Sequence, residues 1–190
     1  MKIELEDILW VDEVLQGKTE SFSHIVDKYK DKVFSLAMGM LRQKEDAEEA
    51  SQDVFIKIFK ALSKFQRKAK FSTWMYRIAY NECISRLRKN KVPMVSVENT
   101  FVQGLLPVED NGEDWQEVEE RSKLLHKALN KLLEADRALV HFFYFESLSV
   151  DDIARITEFS VSNVKIKLFR IRKKLHKEMV PTNNNVLINE

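Results

Sequence analysis

The chain has 190 residues, which is enough for one ordinary domain or two small ones. Its 44% of hydrophobic and 32% of charged residues are typical of a globular protein and exclude a chain that is disordered throughout. The formal net charge of +1 indicates no particular partner, and four Gly and three Pro are too few turn residues for a sheet protein of this length, so we expect an all-α fold.

The sequence contains no signal for export or for membrane insertion. Its N-terminal residues are acidic and lack the continuous apolar stretch of a signal peptide. No apolar run approaches the roughly 18–20 residues of a membrane span. We therefore expect a cytoplasmic protein with no direct membrane insertion.

No set of residues is arranged for catalysis or metal binding. The single cysteine, Cys83, excludes an internal disulfide, and its apolar helical surroundings predict a buried, inert thiol. We find no Gly-rich phosphate loop and no Ser/His/Asp set, so we expect no enzymatic activity, no cofactor and no metal. The four histidines are scattered without ligand spacing: His24, His126, His141 and His176.

Apolar residues recur at helical spacing in the first half of the chain. The runs cover residues 22–41, 54–62 and 74–87, and three or four such helices can bury a core of their own. They predict a first domain over residues 1–92.

The helix that includes residue 54 has a strongly acidic start. Residues 45–53 hold five acids. Opposite a basic or amphipathic partner helix, this stretch would be a docking face. The alternative is a solvated helix terminus whose acids are favoured by the helix dipole.

Bases and aromatic residues alternate in the next segment. Residues 64–91 contain nine Lys or Arg and one acid. Such a surface holds a nucleic-acid backbone electrostatically and stacks or traps unpaired bases. The alternative places Phe71, Trp74 and Tyr80 in the core behind a solvated basic rim, and for each ring taken alone we favour the core. The loop bases and Asn81 are better candidates for contact.

Residues 93–114 break the helical pattern and predict a linker. They contain two of the three prolines and an Asp-Asn-Gly turn signal, and residues 94–120 hold eight acids and no base. Helical periodicity then resumes and predicts a second domain over residues 115–179. A disordered tail is expected over residues 180–190.

Residues 149–178 have the pattern of a helix-turn-helix. Ser149 is a good N-cap for a short helix, the turn is predicted at residues 157–159, and Ser160 caps a second helix that continues through Leu175. Apolar residues at i, i+4, i+7 and i+11 give that helix an inward stripe. Small polar residues at its start suit base edges, and its Lys and Arg suit phosphates. The alternative, an exposed helix with a solvated basic face, is disfavoured by the two caps and the tight turn.

In this order, the acidic helix, the basic and aromatic segment and the helix-turn-helix resemble a sigma-70 family factor of the extracytoplasmic-function (ECF, group 4) class. The resemblance covers roughly residues 17–91 and 115–177. It implies two small helical domains, sigma region 2 and sigma region 4, joined by a flexible acidic linker. It also implies a sigma factor that binds core RNA polymerase, recognises the −35 and −10 promoter elements and promotes DNA melting.

The resemblance assigns roles to residues of this chain. The segment that resembles the clamp-docking region has the candidate polymerase contacts Asp46, Glu49, Gln52, Asp53 and Phe55. The segment that resembles the −10 melting region has the candidates Arg67, Lys68, Lys70, Phe71, Trp74, Arg77 and Asn81. The segment that resembles the −35 module has the candidates Ser162, Asn163, Lys165, Lys167, Arg170 and Lys174.

Partners and reach also follow from the resemblance. We expect binding to the clamp helices and flap of core RNA polymerase, to promoter DNA, and to an anti-sigma factor that clamps both domains. Promoter elements about 25 base pairs apart are separated by roughly 85 Å of B-DNA. A linker of about 25 residues spans at most roughly 80–90 Å. The acidic linker is expected to pass through the positively charged template channel.

Two departures from the family pattern concern the second domain. Glu158 stands where the family often has Gly, and a left-handed Glu costs on the order of 1 kcal/mol, so we expect a differently shaped turn. Residues 132–137 lack the Pro that is common before the next helix.

Two other functions are compatible with the same residues. One is a helix-turn-helix transcriptional repressor or activator that binds duplex DNA as a dimer without polymerase. The other is a polymerase-binding adaptor that does not read promoters. The repressor would not need the acidic, clamp-like helix.

Overall fold

The computed structural model describes residues 2–89 and 115–179. Over these ranges the chain forms eight α-helices with short 3-10 and π turns and no strand, which confirms the expected all-α fold. The predicted linker over residues 93–114 and the predicted tail over residues 180–190 lie outside the described residues.

Four helices form the first domain: α1 (Lys2–Leu15), α2 (Phe22–Leu41), α3 (Lys44–Ala61) and α4 (Phe71–Lys89). Helix α2 is central and packs against both α3 and α4. Its inward face is the first apolar run of the sequence, and Ile25, Val33 and Leu36 are at most 1% exposed. The three predicted helical runs therefore correspond to α2, α3 and α4.

The apolar pattern of the sequence does not predict helix α1, because five acids are mixed with its apolar residues. It contributes Val11 and Val14 to the core. Its Asp7 is buried as well, where the carboxylate pairs with the Lys28 ammonium at 2.6 Å and accepts a hydrogen bond from the Tyr29 hydroxyl at 2.7 Å. A buried carboxylate requires such partners, so this polar contact fixes α1 against α2.

The second domain also has four helices: α5 (Trp115–Asn130), α6 (Glu134–Val140), α7 (Val150–Thr157) and α8 (Val161–Met179). A π turn over His141–Phe145 directly follows α6. In that turn the Glu146 N–H donates to the His141 carbonyl at 3.0 Å, one residue further along the chain than in an α-helix. The apolar run over residues 139–145 is therefore divided between the end of α6 and this wider turn.

Helices α7 and α8 form the predicted helix-turn-helix. Ser149 caps α7, because its hydroxyl accepts a hydrogen bond from the Asp152 N–H at 3.1 Å. Ser160 caps α8 in the same way, with the Asn163 N–H at 3.2 Å. Helix α7 continues through Thr157, one residue further than predicted, which shortens the turn. The predicted inward stripe of α8 is buried at Val164, Leu168 and Ile171.

A buried arginine joins the two domains. Arg137 of α6 is 1% exposed, and its guanidinium donates to the carbonyls of Gly39 at 2.5 Å and Met40 at 3.3 Å, near the C-terminal end of α2. It also donates to the Leu132 carbonyl of its own domain at 2.6 Å. Unpaired carbonyls and the negative end of the helix dipole stabilise a cation here. Burial opposes the charge and lowers the pKa of Arg137 to about 10, so the side chain is still charged at neutral pH.

Aromatic packing extends the contact between the domains. The fully buried ring of Phe142 lies 5.5 Å from the ring of Tyr76 and 6.3 Å from that of Tyr80, between centroids. Both tyrosines belong to α4. The buried apolar residues of the two domains form one contiguous cluster, so the domains share a core.

Candidate polymerase and nucleic-acid interfaces

One side of α3 carries most of the candidate polymerase contacts. Glu49 and Gln52 are exposed, and Asp46 and Asp53 are partly buried. Phe55 is partly buried as well and packs against the core. The structure thus brings the polar candidates to the surface of α3 and turns Phe55 partly inward.

Two apolar residues on the exposed side of α3 are absent from the sequence-based candidates. Ile56 is 50% exposed and Phe59 is 43% exposed. Ile56 follows Gln52 by one turn and Glu49 by two turns, so these three side chains lie on the same side of the helix. The helical spacing of the sequence places Ile56 beside Glu49 and Gln52, whereas the charge pattern does not indicate it. We call Glu49, Gln52, Ile56 and Phe59 the α3 face.

An arginine of α4 neutralises part of the acidic charge on α3. Arg86 pairs with Glu49 at 3.1 Å, with Asp53 at 2.5 Å and with Glu82 of its own helix at 2.7 Å. Burial opposes the ionisation of Glu82, but hydrogen bonds from Lys57 and Arg86 outweigh it and lower the pKa of Glu82. The Glu49 side chain is still 69% exposed, so the pairing positions this carboxylate without removing it from the surface.

The loop before α4 carries three of the basic −10 candidates. Lys68 and Lys70 are exposed. Arg67 has a left-handed backbone with φ of 56°, and its guanidinium pairs with Asp12 of α1. Surrounding contacts must hold a non-glycine residue in this conformation, and the pair with α1 is one of them.

The aromatic residues at the start of α4 pack on one another. Phe71 is 2% exposed, and the partly buried Trp74 lies 5.8 Å from it and 5.2 Å from Phe65, between ring centroids. Phe71 is one of the −10 candidates, but its burial leaves no free ring face on which a base could stack. For Phe71 the structure supports the alternative interpretation as a core residue.

The remaining −10 candidates, Arg77 and Asn81, are exposed on α4 one turn apart. Arg77 pairs with Glu158 of the second domain. One turn earlier, the buried Thr73 hydroxyl donates to the Asp152 carboxylate of α7 at 3.2 Å. The second domain therefore covers part of the helix that carries these candidates.

Helix α8 exposes five of the six −35 candidates: Ser162, Asn163, Lys165, Arg170 and Lys174. Lys167 is engaged within the second domain, where it pairs with Asp136 at 3.2 Å and lies 5.3 Å from the ring centroid of Phe159. Lys174 donates to the Lys131 carbonyl at 2.7 Å. These two lysines are therefore positioned by contacts inside their own domain.

The side of α8 opposite its buried stripe has an apolar centre. Ile166 is 50% exposed and Phe169 is 60% exposed, and the Lys173 ammonium lies 5.9 Å from the Phe169 ring centroid. Together with Ser162 they follow the spacing i, i+4, i+7 and i+11. The −35 candidates are all polar or basic, so they do not include Ile166 and Phe169. We call Ser162, Ile166, Phe169 and Lys173 the outward face of α8.

Glu158 ends α7 in a left-handed conformation, with φ of 62° and ψ of 15°. The turn thus keeps the backbone that glycine adopts freely, and the expected change of shape is wrong. A glutamate in this conformation costs on the order of 1 kcal/mol. Its carboxylate is the partner of Arg77, a contact that glycine lacks.

A buried histidine lies next to the domain contact. His141 is 2% exposed, and burial lowers its pKa to about 4. Neither ring nitrogen has a hydrogen-bond partner within the described part of the chain. The nearest carboxylate belongs to Glu146, 3.8 Å from Nε2, and Glu146 itself pairs with Lys32 of α2 at 2.8 Å.

Three further observations concern the cysteine, possible metal ligands and the length of the apolar helices. Cys83 is 1% exposed, and burial raises the pKa of its thiol to about 12, which confirms the predicted buried thiol. Among residues 2–89 and 115–179, His, Cys, Asp and Glu side chains form no group of three or more that could hold a metal ion. None of the helices in these two ranges is long and apolar enough to span a bilayer.

Known proteins resemble both domains. The family model of sigma-70 region 2 matches residues 25–92, and that of sigma-70 region 4 matches residues 122–175. The ECF RNA polymerase sigma factor SigW of Bacillus subtilis is 31% identical over 181 residues, which cover 89% of this chain and 94% of that protein. The ECF RNA polymerase sigma-E factor of Escherichia coli K12 is 28% identical over 188 residues, which cover 95% and 98% of the two chains.

A solved structure shares the fold. The sigma factor RpoE from Bartonella quintana, in complex with the anti-sigma factor NepR, matches with a TM-score of 0.65 and 21% identity over 84% of this chain and 97% of that chain. The two family matches occur in the order of the two domains, and the sequence likeness to SigW covers nearly the whole chain. The chain therefore belongs to the sigma-70 family and, within it, to the ECF sigma factors, which serve DNA-directed RNA polymerase in transcription initiation.

Proposed function

We propose that the first domain, residues 1–92, binds core RNA polymerase through the α3 face, with Asp46 and Asp53 beside it. The observation that carries this proposal is the exposed Ile56 among acidic and polar side chains. An apolar centre within a polar rim is typical of protein–protein contacts. The clamp helices of the polymerase are the partner that the family resemblance implies, and the partly buried Phe55 supports this face from the core side.

The same domain recognises and melts the −10 element. Trapping an unstacked base costs a few kcal/mol, which base stacking and phosphate contacts can offset. Trp74 remains partly exposed for stacking, whereas Phe71 stabilises the domain from within. The phosphate and base contacts come from Arg67, Lys68, Lys70, Arg77 and Asn81.

The second domain, residues 115–179, recognises the −35 element as a duplex through the outward face of α8. Ile166 and Phe169 contact thymine methyl groups in the major groove. Lys167 and Lys174 approach phosphates only after leaving their partners inside the domain. The polar and basic contacts come from Ser162, Asn163, Lys165, Arg170 and Lys173.

The linker and the remaining partners complete the proposal. Residues 93–114 join the two recognition sites, and their acidity suits the template channel of the polymerase. The polymerase flap binds the second domain. An anti-sigma factor binds both domains, and the similar fold of a sigma factor bound to NepR supports this part. The protein acts in the cytoplasm, where its polymerase works, and catalyses no reaction of its own.

Run-off transcription with core RNA polymerase and genomic promoter fragments tests this function. We expect transcripts only when the protein is present. Ile56→Asp places a charge at the centre of the α3 face and should reduce transcript yield and polymerase binding by at least about tenfold. Lys30→Ala, on the exposed side of α2, is the matched control and should leave both unchanged. Normal polymerase binding by Ile56→Asp would contradict the role of the α3 face.

The two alternative functions give different results in the same experiment. A repressor or activator of the helix-turn-helix type binds promoter duplex tightly without polymerase and does not restore initiation. An adaptor binds core polymerase but restores no promoter-specific transcript. Initiation that depends on the protein and on the promoter sequence excludes both.

A further inference from the structure

The loop that precedes α4 is closed at its base by two aromatic side chains. Phe65 and Phe71 are buried, and their ring centroids lie 5.6 Å apart at the two ends of residues 66–70. The carbonyl of Lys70, at the end of the loop, accepts a hydrogen bond from the Trp74 N–H at 3.1 Å. Both ends of the loop are therefore fixed by the first domain, and the conformation between them depends on contacts made by the loop itself.

Between its two ends, the loop contacts helix α1. Arg67 has a left-handed backbone with φ of 56°, and its guanidinium pairs with the carboxylate of Asp12. A residue other than glycine favours other backbone conformations over this one by a factor of roughly 5 to 30. A partly exposed ion pair contributes a factor of up to about 5 in the opposite direction. Asp12 therefore offsets part of the strain at Arg67.

Helix α1 holds the Asp12 carboxylate in place. Val11 is 0% exposed and Val14 is 8% exposed, so the part of α1 that carries Asp12 is fixed in the core. Nearer the start of the helix, the buried Asp7 accepts a hydrogen bond from the Tyr29 hydroxyl of α2 at 2.7 Å. These contacts do not involve Asp12, so its replacement should leave α1 attached to the domain and change only the contact with the loop.

The pair leaves Arg67 able to contact DNA. A guanidinium has several N–H donors in a planar fork, and one terminal nitrogen of Arg67 donates to Asp12. The Arg67 side chain is 48% exposed, so its other donors can reach a phosphate or a base. A carboxylate bound to one edge of a guanidinium also fixes the plane of the group and the direction of the remaining donors. Asp12 thus constrains both the backbone and the side chain of a −10 candidate.

We propose that Asp12 is a positioning residue for −10 recognition, because it holds Arg67 in the conformation in which the loop receives the unstacked base. This inference rests on the proposed function, in which the loop contacts the −10 element. It adds α1 to the elements that determine recognition, although the family match to region 2 begins at residue 25, after α1. Without this carboxylate the loop adopts other conformations and distinguishes the correct base less well, because its binding form is no longer preorganised.

The mobility of the loop in the full chain tests the first step of the proposal. A cysteine introduced at the exposed Gln66 carries a spin label, whereas Cys83 is buried and takes none. The electron paramagnetic resonance spectrum of Asp12→Ala should show a narrower line shape, and thus a more mobile loop, than that of the protein with Asp12. Identical line shapes would show that Asp12 does not fix the loop and would overturn the proposal.

Transcription from substituted promoters tests the consequence for recognition, in the complex with core polymerase. The templates are a promoter fragment that is active in run-off transcription and versions of it in which each −10 or −35 base is replaced singly. For each template the measured quantity is the ratio of the transcript yield from the original fragment to that from the substituted one. Asp12→Ala should reduce this ratio about two- to fivefold at one position of the −10 element and leave it unchanged for the −35 element.

Two variants of α1 are the controls. Asp12→Glu keeps a carboxylate for Arg67 and should retain the wild-type ratios and line shape. Glu6→Ala removes an acid from the exposed side of α1, where its carboxylate lies 4.0 Å from the Lys28 ammonium, and should retain them as well. Thermal denaturation of the same proteins detects a general loss of stability, which lowers the yield from all templates without changing their ratio.

The possible results distinguish this proposal from the proposed function. Unchanged −10 ratios in Asp12→Ala would overturn the positioning role. An equal increase in yield from all templates would overturn it too, because Asp12 would then only weaken a phosphate contact of Arg67. If the wild-type protein gives no transcript, or gives the same yield whichever −10 base is replaced, the proposed function fails, so the two failures are distinguishable.

Discussion

The guanidinium of Arg86 in α4 lies 3.1 Å from the carboxylate of Glu49 in α3. The same guanidinium pairs with Asp53 and with the buried Glu82. One residue outside both proposed surfaces therefore connects the helix that is expected to bind polymerase with the helix that is expected to bind the −10 element.

Replacing this arginine should destabilise the first domain. Arg86→Met removes three ion pairs and leaves Glu82 with Lys57 as its remaining partner, so we expect the free energy of unfolding to fall by about 1–3 kcal/mol. Urea denaturation followed by circular dichroism measures this change. Arg88→Met, on the exposed side of the same helix, controls for loss of a positive charge. Equal stability of the two variants would refute a structural role for the Arg86 contacts.

Buried His141 should make stability depend on pH. Burial lowers its pKa to about 4 in the folded protein, whereas a histidine in an unfolded chain titrates near 6.5. Between these values the unfolded state binds a proton that the folded state does not. The free energy of unfolding should therefore decrease as pH falls from about 6.5 to about 4, by at most roughly 3 kcal/mol.

Two variants separate the contribution of His141 from that of other groups. His141→Leu removes the titrating ring and a pair of unsatisfied nitrogens, so its stability should vary less with pH over this window. His176→Gln, at an exposed position near the end of α8, should retain the wild-type slope. Denaturation midpoints measured between pH 4 and pH 7 give the comparison. Parallel curves for all three proteins would show that His141 does not cause the effect.

The thiol of Cys83 should report unfolding. Its pKa of about 12 leaves a thiolate fraction on the order of one in ten thousand at pH 8, and the side chain is 1% exposed. We expect no reaction with Ellman's reagent in the native protein and complete reaction in urea, with a midpoint equal to that of circular dichroism. Rapid labelling of the native protein would contradict the buried environment. Cys83→Ser gives the background signal.

Substitutions of Glu158 should separate backbone strain from the side-chain contact. Both Glu158→Gly and Glu158→Ala lose the carboxylate, but only glycine relieves the left-handed backbone. We expect the glycine variant to be more stable than the alanine variant by about 1 kcal/mol. Thermal or urea denaturation of the two proteins measures the difference. Equal stabilities would show that the turn relaxes when the side chain is shortened.

Two residues on the outward face of α8 should affect DNA binding in different ways. Phe169→Ala should weaken binding to the preferred −35 sequence by about 1–3 kcal/mol and relax specificity at one base pair. Lys173→Ala should weaken binding to all sequences and reduce the salt dependence by about one phosphate contact. Fluorescence anisotropy with −35 duplexes at several salt concentrations measures both. If Phe169→Ala weakens binding equally for all sequences, its proposed base contact is wrong.

Much of the fold follows from the sequence, because helical periodicity and caps are local properties. The apolar stripe of α8 and the hydroxyls of Ser149 and Ser160 identify the helix-turn-helix without reference to the rest of the chain. The periodicity of α2 is equally clear. Helix α1 is not predicted, because five acids are mixed with its apolar residues and one of them, Asp7, is buried only through its contacts with Lys28 and Tyr29 of α2.

The candidate sites are less predictable, because accessibility is decided by packing. Charge alone identifies Glu49 and Lys165 but does not indicate Ile56 and Phe169. A helical projection of the same sequence places these two apolar residues on exposed sides. For Phe71 the sequence leaves DNA contact and a place in the core both open, and its neighbours place it in the core. The contact between domains has no local signal, because it joins residues that are far apart in the sequence, 81 positions for Arg77 and Glu158 and 98 for Gly39 and Arg137.

The arginine at the domain contact has a consequence for hybrid proteins. Arg137 binds the main-chain oxygens of Gly39 and Met40, and a helix presents such oxygens at its end whatever side chains it carries. A first domain transplanted from another ECF sigma factor would keep these acceptors if its second helix ended at the same point. The packing of Phe142 on Tyr76 does depend on which side chains are present, because both partners are side chains. The compatibility of two exchanged halves should therefore depend on the rings and not on the arginine.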